Sequence, residues 1–381
     1  MWRALLAVLL AAPQGSKLQF RHHFIDRTLP GTAYGQTALA DVDGDGDLDF
    51  ITGRRAGDIL WFEYRAPDDW KRHLLGKDSP SDVGGNVLDV DRDGKIDFVA
   101  GGAWYRHGAG EPWERRVFDK DLASVHDFVT ADLDGDRRPD VITMSDKNNL
   151  RWYRIPDDPT RPWERRDIGP SVHAGVCTGD LDGDGDLDVV RSNIWFENVD
   201  GKGLRWAERA NIPFGNPNNP FPYATRSAAR DLDGDGDLDL VMTTNEIRNP
   251  KIAWLENADG KGGAWKVHEL VAGDAAVRGA YHSLAVEDFD GDRDWDVFTC
   301  EMEGIAGDRP PRWFMWENVE GRFVERVILD AGLGGHEAVV GDVDGDGDLD
   351  VCAKLWAPRK DNANGGRMHA DYLENLWRRK P

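Results

Sequence analysis

Short apolar runs recur along the chain on either side of one fixed block of acids. The block reads Asp-x-Asp-x-Asp-x-x-x-Asp and begins at Asp41, Asp89, Asp132, Asp180, Asp231, Asp288 and Asp342. A run of small and apolar residues precedes it, such as Ala38-Leu39-Ala40 or Ala338-Val339-Val340. A β-rich run follows it, such as Phe50-Ile51-Thr52, Val141-Ile142-Thr143 or Val297-Phe298-Thr299. A third, aromatic element comes next, as in Trp61-Phe62-Glu63, Trp195-Phe196-Glu197-Asn198 and Trp254-Leu255-Glu256-Asn257. Turn signals such as Asp200-Gly201 and Asp259-Gly260 close several of these elements. A fourth element starts at Trp70, Trp113, Trp163, Trp206, Trp265 or Phe323.

Four strands recurring about every 50 residues predict the blades of a β-propeller. Seven acidic blocks predict seven blades in an all-β fold. The seventh repeat stops at its third strand, near Trp377. Its missing fourth strand is expected at the other end of the chain, where Phe20-Arg21-His22-His23-Phe24-Ile25 resembles Trp70-Lys71-Arg72-His73-Leu74-Leu75. Such a closure pairs the free edges of the ring. One domain then accounts for residues 16–381.

Residues 1–15 fall outside the repeat. Arg3 followed by the apolar run Ala4 to Ala12 reads as a signal peptide, with no Cys after it to take a lipid. No other stretch is long enough to span a membrane. An extracellular or periplasmic location follows, with no transmembrane segment after signal removal. The three cysteines give no disulfide framework; a Cys300–Cys352 bridge is conceivable but not expected. A formal charge of −23 excludes nucleic acid as a partner, because phosphate binding needs a basic footprint.

That charge is clustered. Each block offers four carboxylates: Asp41, Asp43, Asp45 and Asp49; Asp89, Asp91, Asp93 and Asp97; Asp132, Asp134, Asp136 and Asp140; Asp180, Asp182, Asp184 and Asp188; Asp231, Asp233, Asp235 and Asp239; Asp288, Asp290, Asp292 and Asp296; Asp342, Asp344, Asp346 and Asp350. Acids at positions one, three and five converge on one point, and position nine closes the shell. Hard oxygen ligands in that number suit calcium, not zinc. Up to seven ions are expected. Glycine at position six lets the backbone turn around the cation. Arg137 and Arg293 stand there in the third and sixth loops, so these two are expected to bind more weakly.

With these motifs in view, the chain resembles the FG-GAP or VCBS repeats of secreted bacterial proteins, and more distantly the propeller of integrin α subunits. The resemblance covers nearly the whole chain after residue 15. It implies a secreted, calcium-binding, seven-bladed propeller. It leaves activity open, since such propellers serve in adhesion, in carbohydrate binding, and as scaffolds of polysaccharide lyases and sugar dehydratases.

The channel mouth is where a propeller carries its function, and the segment entering each inner strand lies there. His126, His173, His282 and His336 stand six or seven residues before the first Asp of their loops. The other blades offer Tyr34 and Gln36, Asp82 and Asn86, and Tyr223 with Arg226; Tyr281 precedes His282. The candidate catalytic set is therefore His126, His173, Arg226, Tyr281, His282 and His336. It could bind a transition metal, or eliminate across an acidic or oxidised sugar, with Arg226 neutralising a carboxylate and His or Tyr moving protons. Two insertions, 211–223 and 359–369, could wall the same mouth. The leading expectation is a monomeric propeller that binds, and in lyase or dehydratase fashion processes, a carbohydrate. The competing class is a non-catalytic adhesion or protein-interaction module.

Overall fold

The computed structural model describes residues 18–378, except 82, 272–276, 306 and 308. The expected signal peptide, 1–15, and the channel candidate Asp82 lie outside the described residues. Seven antiparallel sheets of four strands form a ring, each strand pairing with its chain neighbour from the inside outward. The seventh blade takes its outer strand from the start of the chain. Phe20–Asp26 pairs antiparallel with Ala370–Asn375, bringing Phe20 opposite Asn375 and His22 opposite Leu373. The protein is a seven-bladed β-propeller, as the repeats predict.

The burial pattern explains why each run became its strand. Second strands such as Asp49–Arg54 and Asp140–Ser145 are buried almost throughout, because sheets pack on both of their faces. Outer strands such as Glu164–Gly169 are largely open to water. The core lies between blades. Ile51 and Trp61 of blade one meet Phe98, Tyr105 and Trp113 of blade two in one cluster. At the closure, Phe20 packs with Phe298, Trp313, Val351 and Leu373, spanning blades six and seven. The tryptophans of third strands are buried there or stacked on outer-strand histidines, as Trp61 is on His73 with ring centres 4.0 Å apart. Cys177, Cys300 and Cys352 are buried and free, so no Cys300–Cys352 bridge forms.

Two polar devices recur from blade to blade. The position-nine aspartate starts the second strand and is buried; Asp49 accepts the Val42 N–H at 2.9 Å on one oxygen and the Tyr64 N–H at 2.9 Å on the other. Asp188, Asp296 and Asp350 repeat that clamp. The asparagine ending the third strand reaches into the preceding blade. Asn198, Asn257 and Asn375 donate from Nδ2 to the carbonyls of Leu133, Leu181 and Phe289 at 2.8–2.9 Å. These carbonyls belong to the preceding acidic loops, so each asparagine ties one blade to the loop of its neighbour.

Candidate functional site

The acidic loops curl around their first aspartate. Asp41 accepts N–H bonds from Gly44, Asp45 and Gly46, which turns positions three and five inward. Gly46 has φ 102°, and Arg137 and Arg293 take the same left-handed conformation at φ 68° and 79°. In the second loop the strained residue is at position four, Arg92 at φ 59°, where other loops have glycine. Ligand oxygens of Asp41, Asp43 and Asp45, of Asp89, Asp91 and Asp97, of Asp132, Asp134 and Asp136, and of Asp180, Asp182 and Asp188 lie within 4.8 Å of one another. Buried carboxylate oxygens of Asp47, Asp91, Asp342 and Asp348 lack a hydrogen-bond partner within the protein, which leaves them open to a cation or to water. Burial pushes the Asp49 and Asp188 carboxyls up to about 7, and those of Asp296 and Asp350 up to about 8. A divalent cation would offset that cost. Although both oxygens of these position-nine acids accept N–H bonds, each acid keeps a lone pair for a metal, in Asp350 only on Oδ1 because Tyr372 also donates to Oδ2. The residues therefore fit a hard cation.

Two loops already contain a positive charge. Arg106, on the third strand of blade two, bonds Asp91 and reaches Asp93 at 2.9 Å. Arg154, its counterpart in blade three, lies 2.8 Å from both Asp134 and Asp136. The other blades carry Glu63, Glu197, Glu256, Glu317 and Glu374 at this place. Glu63 and Glu256 turn outward to Lys71 and Lys266 at 3.0 and 2.8 Å. In the second loop, which its glycine at position six placed among the stronger sites, one guanidinium thus competes with a cation for Asp91 and Asp93, and in the third loop another competes for Asp134 and Asp136.

At the other end of the inner strands the four histidines form one continuous row. Ring centres are 3.9 Å apart for His173 and His126, 5.3 Å for His126 and His282, and 3.9 Å for His282 and His336. His126 sits at a β-bulge between Val125 and Asp127, a distortion that turns its side chain inward. Phe221, from the 211–223 insertion, stacks on His173 at 3.9 Å. Trp356 lies 5.5 Å from His336 at the far end. Burial holds the His126 ring down to about 4. Burial also opposes charge on His173, but Asp146 and Glu246 outweigh it and raise the ring to about 9.

Glu246 and Asp146 are candidate site residues that the histidine slot did not reveal, each bonded to His173. Asp146 directly follows the second strand Asp140–Ser145 and Glu246 stands two residues after Asp239–Thr244, both in the connection to the third strand. An acid just after Ser145 and just after Asn245 was the available signal. Glu246 has φ 53°, a strained left-handed conformation for a residue with a side chain.

Three candidates take places other than those expected. Arg226 does not face an open mouth. It spans the channel, donating to Asp127 at 2.8 Å, to Glu337 at 2.6 Å and to the His282 carbonyl at 2.8 Å, so its charge is consumed internally. Tyr281 is fully buried between blades five and six, bridging Asn245 and Glu301, with its hydroxyl accepting from Arg278 at 2.9 Å. It cannot relay protons at the mouth. His336 is buried and backs His282, with Nδ1 3.8 Å from Glu303. The 359–369 insertion pairs Arg359 with Asp361 at 3.0 Å, which spends part of its positive charge.

Two cavities flank the row. A partly open cavity of about 260 Å³ is lined by Asn86, His126, Asp127, Arg226 and Glu337 among others. A groove of about 490 Å³ opens on the outer side, lined by Asp146, Lys147, Asn149, His173 and Phe221. Among the described residues no helix is long and apolar enough to cross a membrane.

Human (Homo sapiens) T-cell immunomodulatory protein is 25% identical over 237 residues, which are 58% of this chain and 36% of that protein. The chain thus spans about a third of the length of this curated relative. Among solved structures, BBS1N in complex with ARL6DN is similar at a TM-score of 0.55 and 9% identity, covering 94% of this chain and 99% of that one. The rhamnogalacturonan lyase YesW reaches a TM-score of 0.47 at 16% identity, covering 97% of this chain and 74% of that one. At 9% identity the likeness to BBS1N speaks for the fold alone. A family model described as FG-GAP-like repeat matches residues 103–190, 231–299 and 288–353. These segments make up more than half of the chain, and the protein belongs to the FG-GAP-like repeat family.

Proposed function

We propose that this protein is a calcium-stabilised propeller that binds a carbohydrate in the groove beside His173. The observation that carries the reading is the chemistry of that groove. It combines an aromatic ring, Phe221 at 37% exposure, with the amide of Asn149, the ammonium of Lys147 and the carboxylate of Asp146 in a sugar-sized space. A flat apolar face among a few placed polar groups is what a sugar ring with its hydroxyls requires. Lys147 favours an acidic or oxidised sugar, and elimination of the lyase or dehydratase kind is the reaction class that such a ligand would undergo.

Calcium in the acidic loops is the structural part of the same reading. Open loops of exposed aspartates suit the weak, high-concentration calcium binding of extracellular modules, with dissociation constants of about 10⁻⁴–10⁻³ M. This supports a location outside the cytoplasm. Calcium bound only to the folded ring stabilises it by about 2.7 kcal/mol per site at a hundredfold excess over Kd. Excess chelator should therefore lower the melting temperature, and an unchanged melting curve would refute structural calcium.

The ligand is tested by incubation with acidic polysaccharides and keto-sugars, following both binding and unsaturated products. Binding that Phe221→Ala weakens at least tenfold supports the groove. No binding to any glycan sinks the carbohydrate reading and leaves the adhesion or protein-interaction class. Binding without unsaturated products leaves a lectin-like module.

A further inference from the structure

Three imidazoles from three blades converge on one carboxylate. Glu246 Oε1 lies 3.2 Å from His282 Nε2, 3.3 Å from His173 Nε2 and 4.0 Å from His126 Nε2. Neighbouring ligands of a tetrahedral ion bonded at about 2.0–2.2 Å are separated by about 3.3–3.6 Å. Two of the three distances lie at that edge length and the third needs a few tenths of an ångström. The ligand atoms of His126, His173 and Glu246 all lie within 4.8 Å of one another.

The opposite edge of each ring is also prepared. His126 Nδ1 lies 2.9 Å from Asp127, His173 Nδ1 lies 2.8 Å from Asp146, and His282 Nδ1 lies 3.2 Å from Glu337. A carboxylate that accepts Nδ1–H fixes the tautomer and leaves the Nε2 lone pair for a metal. Arg226, which can only donate, stands 3.0 Å from the same nitrogen of His282, so this ring presents Nε2–H to Glu246 and would have to change tautomer to bind a metal. Asp127, Asp146, Glu246 and Glu337 face this cluster against the cations Arg226 and Lys354, and a bound divalent ion would take the place of the proton that Asp146 and Glu246 hold on His173. The strained backbone of Glu246 is the local cost of aiming its carboxylate at the three rings.

We propose that His126, His173, His282 and Glu246 form a binding site for one divalent transition metal ion of the zinc and cobalt class. Imidazole donors select such ions over calcium, whose oxygen ligands are in the acidic loops. The ion would enter past His173, which borders the outer groove. The site stands on its own geometry and does not depend on the carbohydrate reading.

The test is a Co²⁺ titration of calcium-saturated full-length protein, followed by visible absorption. One equivalent should produce the intense bands of tetrahedral, nitrogen-ligated cobalt, and Zn²⁺ should displace them. Glu246→Gln should weaken Co²⁺ at least tenfold and His173→Ala should abolish the bands, while Glu208→Gln, exposed on the outer strand Trp206–Arg209, leaves them unchanged. Only the weak bands of oxygen-ligated octahedral cobalt in the wild-type protein would overturn the proposal, leaving a network of hydrogen-bonded His and Glu. That wild-type result does not depend on any variant folding. Bands without glycan binding would defeat the carbohydrate reading alone; glycan binding without bands would defeat the metal site alone.

Discussion

The guanidinium of Arg106 lies 2.9 Å from the carboxylate of Asp93, inside the second acidic loop and on the side from which the loop acids converge. Arg154 does the same in the third loop. A fixed positive charge among the ligands competes directly with a cation. Arg293 in the sixth loop acts through its backbone instead, where a left-handed residue costs about 1 kcal/mol, or about fivefold in affinity. Of seven loops, five should therefore bind calcium in the wild-type protein, the sixth less tightly than the other four. Calorimetric titration of the double variant Arg106→Glu, Arg154→Glu should raise the stoichiometry from five to seven. Seven equal sites in the wild type would contradict this assignment.

Asn257 connects blade five to blade four through the Leu181 carbonyl at 2.9 Å, and its own carbonyl oxygen accepts the Gly262 N–H at 2.9 Å. Both bonds are buried. Asn257→Ala leaves a carbonyl and an N–H without partners, which costs about 1–3 kcal/mol. Denaturant unfolding in saturating calcium should show that loss, and a change below about 0.5 kcal/mol would mean that water replaces the clamp.

Arg226 is shared by Asp127 and Glu337, acids from blades three and seven. Arg226→Met leaves both carboxylates nearly buried without their cation, and breaking such a pair costs about 3–5 kcal/mol. Arg226→Lys should recover part of the stability but not the bidentate geometry. If Arg226 instead served a ligand's carboxylate, Arg226→Met would melt like wild type and lose only binding.

His23 ties the closing strand to the last one, with its ring 3.1 Å from both Glu374 and Asp68. Burial opposes its charge, but the two carboxylates prevail and raise its pKa above the ordinary value. A raised folded-state pKa stabilises the fold fully below about pH 6.5 and loses that contribution as pH rises through the folded value. The wild-type melting temperature should fall across that window by more than that of His23→Gln. Parallel pH profiles for the two proteins would remove His23 from the closure.

The blades were legible because their signal is repeated. Each acidic block is followed by a buried second strand and an aromatic third strand, so an error in one repeat is corrected by six others. The closure was legible from the likeness of Phe20–Ile25 to Trp70–Leu75 alone. The histidine slot was legible too, since His126, His173, His282 and His336 share a register ahead of their loops. Tyr281 shares nearly the same register, yet its side chain turns into the seam between blades, where Phe314 and Trp316 surround it. Adjacent residues of an extended segment point to opposite sides, so a slot one residue out of phase faces the core instead of the channel.

The sequence by itself determined the ring: seven blades, their order, the exchanged strand and the seven acidic loops. These depend on local periodicity, which any stretch of about 50 residues displays. Only the tertiary structure decided which side chains meet. Glu246 touches His173 and His282 from a connection 73 and 36 residues away, and Arg226 bridges acids 99 and 111 residues distant. Arg106 and Arg154 enter the loops because a hairpin folds the third strand back against them. Closing the ring brings every blade to one axis, and a sequence read blade by blade carries no record of who faces whom across it.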